Sequence, residues 1–197
     1  MTLAQRLSRI PLLVWIVAPL ALAALVAWPL GGWDTVTLVS RTLPQFKSNQ
    51  VLHTRRFDIR VDDAWLTTND HPAGYGPPEP GEIYLVVRVE ITNVTDDVAT
   101  ASDLGGYLIP LVDGLDADRS SGVSYVLATD HTSLPELNPG LPRDMELVWT
   151  VQSTSIAAGD DLRIDLYDGV PAKSTLFYGL RWDFVPAGYA IRNVNAR

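Results

Sequence analysis

The 197-residue chain contains no cysteine. Disulfides are therefore excluded, and so is a thiolate zinc site, which leaves any exterior domain dependent on its apolar core. Histidine is nearly as scarce: His53, His71 and His131 stand alone, none within four residues of another. No metal-ligand spacing is present. A Gly-x-Ser-x-Gly nucleophile turn is also missing. Asp130-His131-Thr132-Ser133 holds the residue types of a hydrolase triad, but those groups normally converge from separate segments, so the stretch reads as a polar loop. The chain is read as no enzyme and as needing no cofactor. Beyond residue 30 no stretch keeps a helical period for three turns, and no internal repeat occurs. A surplus of basic residues is lacking as well: the formal charge is −8. An acidic surface repels phosphates, which excludes nucleic acid as a partner.

What is present is uneven. The 47% hydrophobic content excludes a disordered chain, yet its most concentrated part is one run, Ile10 to Leu30, that carries no charge. At 1.5 Å per residue a helix over those positions spans ~31 Å, the thickness of a hydrocarbon core. Arg6 and Arg9 precede it and all 23 acids follow it, so residues 1–9 are expected in the cytoplasm and everything after the span outside. Trp28 and Trp33 fall at the outer interface. The expectation is a single-pass anchor in the cell membrane. Ala21-Leu22-Ala23 leaves a cleaved signal peptide as the alternative.

After a juxtamembrane linker, residues 31–52, the period becomes two. Phe57, Ile59 and Val61 alternate with Asp58, Arg60 and Asp62, as a half-buried strand requires. Ile83, Leu85, Val87, Val89 and Ile91 oppose Tyr84, Val86, Arg88, Glu90 and Thr92. Met145, Leu147, Trp149 and Val151 repeat the pattern, and Leu162, Ile164 and Leu166 repeat it again. Weaker strands are expected at Tyr107–Val112, Val123–Ala128, Phe177–Phe184 and Tyr189–Val194. Seven to nine short strands separated by Asp-Gly, Asn-Pro-Gly and Gly-Asp turns predict an all-β antiparallel sandwich over residues 53–197. Trp65, Trp149 and Trp182 read as its core aromatics, unless Trp65 and Trp182 lie on an outer face and mark a binding surface.

Two loops carry chemistry. Asp70 to Glu82 holds four prolines and three glycines in thirteen positions. It is either a stiff connection or a docking loop, with Tyr75 as anchor and Pro77, Pro78 and Pro80 limiting the entropy lost on binding. Under either reading, removing Tyr75 to Gly81 is expected to leave the fold intact. Asp113, Asp116 and Asp118 form an acidic cluster whose oxygens suit Ca²⁺. The EF-hand spacing is absent, because Leu127 stands twelfth from Asp116, so a solvated loop is the plainer reading.

The strand Glu82 to Asn93, the later Leu111-Val112-Asp113-Gly114, the turn Leu137-Asn138-Pro139-Gly140 and the strand Glu146 to Val151 together resemble a known family. It is the small immunoglobulin-like extracytoplasmic domain of actinobacterial and Gram-positive envelope proteins, of the mycobacterial secreted-immunogen type. The resemblance covers about residues 55–185 and implies a fold and an outward location, but no catalytic residue. Function is then expected to be interaction with an envelope or membrane protein, as an accessory subunit of a transporter or similar complex. The alternative is a module binding a lipid, a sugar or Ca²⁺.

Overall fold

The computed structural model describes residues 43–70, 72–115, 122–173 and 180–197, without the side chains at 172, 173, 180 and 181. The run 10–30, with Arg6, Arg9, Trp28 and Trp33, lies outside the described residues, as do His71, Asp116 and Asp118. Among the described residues no helix is long and apolar enough to cross a membrane. Residues Leu43–Arg197 form one unit, and every described strand belongs to it.

The chain order is β1 (Gln45–Phe46), β2 (Leu52–His53), β3 (Phe57–Thr67), β4 (Glu82–Asn93) and β5 (Ala99–Thr100), then a 3-10 turn at Ala101–Leu104. It continues with β6 (Leu108–Pro110), β7 (Val123–Leu127), β8 (Glu136–Leu137), β9 (Pro142–Gln152), β10 (Asp161–Lys173) and β11 (Leu180–Ala196). Nine strands join in the order β6-β10-β11-β3-β4-β9-β7, with β1 on β11 and β2 on β3. β5 and β8 pair separately. The stretch read as linker thus supplies two short strands. Of the segment expected at Phe177–Phe184, residues 180–184 belong to the long β11 and 177–179 lie outside the described residues; the segment Tyr189–Val194 falls within the same β11.

β11 decides the architecture. Its residues Leu180 to Asn193 pair antiparallel with β10, and Val194 to Ala196 pair parallel with β3. One strand therefore passes from one layer to the other, and the two layers share one apolar core while β6 and β7 end the path. β1 also lies parallel to β11. The expectation of a purely antiparallel sandwich is corrected at these two seams: β1 and β3 both run in the same direction as β11, which they flank. Residues beyond Pro186 are integral to the sheet, pairing with β10, with β1 and, at Val194 to Ala196, with β3.

The period-two faces set the core. Leu85, Val87, Val89 and Ile91 are fully buried, and they share one apolar cluster with Met145, Leu147 and Trp149 of β9 and Leu162, Ile164 and Leu166 of β10. Trp149 is a core aromatic, as expected. Trp65 is not. Val61 pairs with Val89 but Asp63 pairs with Arg88, which leaves Asp62 as an extra residue in a bulge. One added residue inverts every later side chain. Phe57, Ile59 and Val61 face inward before it, Ala64 and Leu66 after it, and Trp65 is turned to the outer face opposite Val86.

The lower turns are pinned by Asn93. Its Nδ2 donates to the carbonyls of Asp97 (2.7 Å) and Leu137 (2.8 Å), while its Oδ1 accepts from Thr95 N at 3.1 Å. Gly140 N donates to the Asn93 carbonyl at 2.8 Å, and Gly140 adopts the left-handed φ of +70° expected after Pro139. Asn93 is fully buried, so the Asn93-Val94-Thr95 sequence is spent as a turn and offers no amide for glycosylation.

Candidate functional site

The outer face of the β3-β4-β9-β7 layer has two halves, set by cross-strand register. Arg60, Glu90 and Asp144 form one row, and Arg88, Glu146 and Val126 the next. Arg60 Nε donates to Asp62 Oδ1 at 2.7 Å, and its Nη1 and Nη2 clasp the Glu90 carboxylate at 3.0 and 3.2 Å. The hydrogen bond to Asp62 raises the Arg60 pKa above its usual value, so the fork stays charged. Arg88 Nη2 reaches Asp144 Oδ2 at 3.3 Å. Glu146 is buried to 8% exposure. Burial pushes its carboxyl pKa up, while His131, Arg88 and Arg197 pull it down.

The other half is apolar. Trp65, Tyr84, Val86, Val126 and Val148 make a second cluster, separate from the inter-sheet core. Two devices lie over it. Arg197 is 4.2 Å above the Trp65 ring, with Nη2 donating to Asp63 Oδ2 at 2.6 Å and its backbone N to the Leu66 carbonyl at 3.0 Å. The Pro-rich loop supplies the second. Ala73 packs against the cluster, and Tyr84 Oη donates to the Gly76 carbonyl at 3.2 Å.

That placement gives removal of the loop an expected cost in stability, with the fold itself expected to remain. The loop folds back over its own sheet, and an apolar face cannot be uncovered without cost. Deleting Tyr75 to Gly81 is expected to destabilise the domain by roughly 1–2 kcal/mol, through the lost Tyr84–Gly76 hydrogen bond and the freeing of Ala73 from the cluster it packs on. Urea denaturation with Trp fluorescence measures it; an unchanged midpoint would show that the cover is dispensable.

Within the loop, Tyr75 sits between Gly74 at φ +79° and Gly76 at φ +86°. Glycine takes that backbone region without the strain a Cβ would bring, and the tyrosine between the two is 70% exposed. Pro77 and Pro80 are exposed and Pro78 is half-buried. Glu82 N returns to the Glu79 carbonyl at 2.9 Å, closing the loop onto β4. At the same end, Leu66, Ile83, Ile156 and Ala196 line a cavity of about 280 Å³, with Thr67 and Arg197 among its polar walls.

Other candidates are dispersed. Asp113 is exposed, and its partners in the acidic reading, Asp116 and Asp118, lie outside the described residues. Among the described residues no three His, Asp or Glu side chains are grouped to hold a metal. His53 Nδ1 is 2.8 Å from Asp58 Oδ1 on the surface. Asp130 Oδ1 accepts from Thr132 N at 3.0 Å, as a residue in a polar turn does. Trp182 is half-buried, with the Arg56 guanidinium 5.5 Å from its ring. Sequence reasoning overlooked the buried Glu146 and the half-buried Arg88 opposite it, although their place on one outward face follows from the strand periods.

No protein-family model matches the chain, and no curated protein matches it. Solved structures do resemble it. An uncharacterized β-sandwich protein from Clostridium difficile 630 is similar over 81% of this chain and 99% of its own, with 10% identity and a TM-score of 0.53. A Bacillus subtilis protein, named provisionally as a lipoprotein, is similar over 76% of this chain and 39% of its own, with 13% identity and a TM-score of 0.40. A conserved hypothetical protein from Bacillus anthracis matches over 60% of this chain and 85% of its own, at 17% identity and a TM-score of 0.30. Only the first carries structural weight, and at that identity it speaks to fold alone. Over its described residues the chain is all-β and of β-sandwich type.

Proposed function

We propose that this chain is a single-pass membrane protein that presents an immunoglobulin-like domain outside the cell and binds a protein partner without catalysing a reaction. In this reading it is an accessory subunit of an envelope or transporter complex, in the manner of the actinobacterial and Gram-positive family it resembles. Arg6 and Arg9 hold the N-terminus in the cytoplasm, residues 10–30 cross the bilayer, and Trp28 and Trp33 rest at its outer surface. The observation that carries the binding role is Tyr75, 70% exposed at the apex of a loop stiffened by Pro77, Pro78 and Pro80. An aromatic ring on a pre-ordered loop gives contact area with little entropy lost.

The test is co-purification from membranes in mild detergent at native expression level. The wild-type chain is expected to retain its partner, and Tyr75→Ser to lose it by about tenfold or more, the size of a typical aromatic hot spot. A wild-type protein that always elutes alone would remove the subunit reading. Retention by the variant would move the interface off the loop. An open pocket of about 280 Å³, lined by Leu66, Ile83 and Ile156 and by the polar Thr67, Ser153 and Arg197, supports one second reading, a ligand-binding module that takes a lipid. A retained mass in native mass spectrometry distinguishes it.

A further inference from the structure

The edge strand β7 is followed by a turn that folds back on it. Leu127 N donates to the Thr132 carbonyl at 3.0 Å, His131 N to the Leu127 carbonyl at 2.9 Å, and Leu134 N to the Tyr125 carbonyl at 2.9 Å. Ser133 bridges Val126, so the returning segment shields the outer edge of the sheet. It does so with two non-glycine residues at left-handed φ, His131 at +59° and Leu134 at +49°. Such conformations cost free energy and persist where surrounding contacts hold them.

His131 Nε2 lies 3.9 Å from Glu146 Oε2, across the outward face of β9. The imidazole side chain is 55% exposed and the carboxylate side chain only 10%. The other charges around Glu146 are already engaged. Arg88, its register partner on β4, donates to Asp144, and Arg197 from the end of β11 donates to Asp63. Asp130 beside His131 is taken up by Thr132 N, and Val126, the register partner of Glu146 on β7, carries no charge.

We propose that the turn 128–131 is a proton-operated latch, closed when a charged His131 faces the Glu146 carboxylate and loosened when His131 is neutral. Histidine is the side chain that changes charge between pH 5 and 8. A charged His131 sets a cation opposite a carboxylate whose side chain is only 10% exposed. The returning segment 132–134 then covers the β7 edge more firmly. At higher pH the same buried carboxylate faces a neutral ring, the strained turn opens more often, and the backbone of β7 becomes available to another strand. The latch uses none of the residues of the Tyr75 loop and lies on β7 at the other side of the layer from β3.

Hydrogen exchange of the full chain at the amides of Leu127, His131 and Leu134 tests it. Corrected for intrinsic rates, protection at these three positions is expected to rise about threefold between pH 7.5 and pH 6.0, the size of one partly exposed ion pair. His131→Asn, which tolerates the left-handed backbone, and the isosteric Glu146→Gln should each abolish that rise while amides of β4 stay protected. Flat protection in the wild type would overturn the latch. So would a rise that survives in either variant.

Discussion

Gly169→Ala is expected to be among the most damaging single substitutions in this domain. Gly169 lies on β10 opposite Phe184, and a Cβ there would run into the Tyr107 hydroxyl and stand 2.8 Å from Tyr107 Cζ and 3.2 Å from Trp182 Cε3. The ring cannot swing aside. Tyr107 is fully buried and makes edge contacts with Phe57 at 5.2 Å and Phe184 at 5.0 Å between centroids. Overpacking a rigid core costs roughly 1–3 kcal/mol, and the severity here places Gly169→Ala at about 3 kcal/mol or above. For a domain of this size that lowers Tm by roughly 6–12 °C. Calorimetry reads it, and a Tm within about 2 °C of wild type would mean that Tyr107 yields.

The same contact makes a second measurement informative. Tyr107 Oη is buried with no hydrogen-bond partner among the described residues, and burial pushes its pKa up to about 12. An unpaired hydroxyl in a core costs free energy, so Tyr107→Phe is expected to be neutral or stabilising by about 1 kcal/mol. In the double variant the phenylalanine should recover part of the Gly169→Ala loss, because the clashing oxygen is gone while the ring carbon remains.

Arg192→Met carries the other large effect. Arg192 points into the core where β11 leaves β10 for β3. Its Nε donates to the Val61 carbonyl at 3.1 Å, Nη2 donates to the same oxygen, and Nη1 reaches the carbonyls of Ile191 at 2.7 Å and Phe46 at 3.4 Å. Burial lowers the Arg192 pKa, with Asp62 and Asp63 opposing that shift, so the charge is held at some cost. Against that cost stand several charge-assisted bonds, each worth about 1.5–3 kcal/mol, to carbonyls at the Asp62 bulge and on β1. The bonds win. Arg192→Met should destabilise the domain by roughly 2–4 kcal/mol and loosen β1, read as a lower urea midpoint and faster tryptic cleavage after Lys47. Wild-type stability and unchanged cleavage would show that the seam holds without the guanidinium.

Much of this architecture was legible beforehand. The alternation at residues 83–92, 145–151 and 162–166 placed the right side chains in the core, because a strand buries alternate residues whatever its neighbours are. The turns at Asn93 and Asn138-Pro139-Gly140 were equally readable, since their geometry needs those residue types locally. Trp65 was not readable. Its direction depends on Asp62 being extra in the ladder, and an unpaired residue exists only relative to the partner strand. Of the candidate site, the exposed Tyr75 and its prolines could be named from composition. That the loop lies back over Trp65 and Tyr84 required the fold, because both rings sit on the face a simple sandwich leaves to water.

The absence of cysteine, the uncharged run at 10–30 and the all-β period are properties of the sequence by itself, for each follows from residue type and spacing within one segment. The joining of the layers through β11, the guanidinium of Arg192 at their seam, the close approach at Gly169 and the meeting of His131 with Glu146 are decided by tertiary structure. Each brings together residues distant in the chain or inverted by a bulge. Local pattern can state which side of a strand is apolar, but only the assembled sheet determines what lies against it.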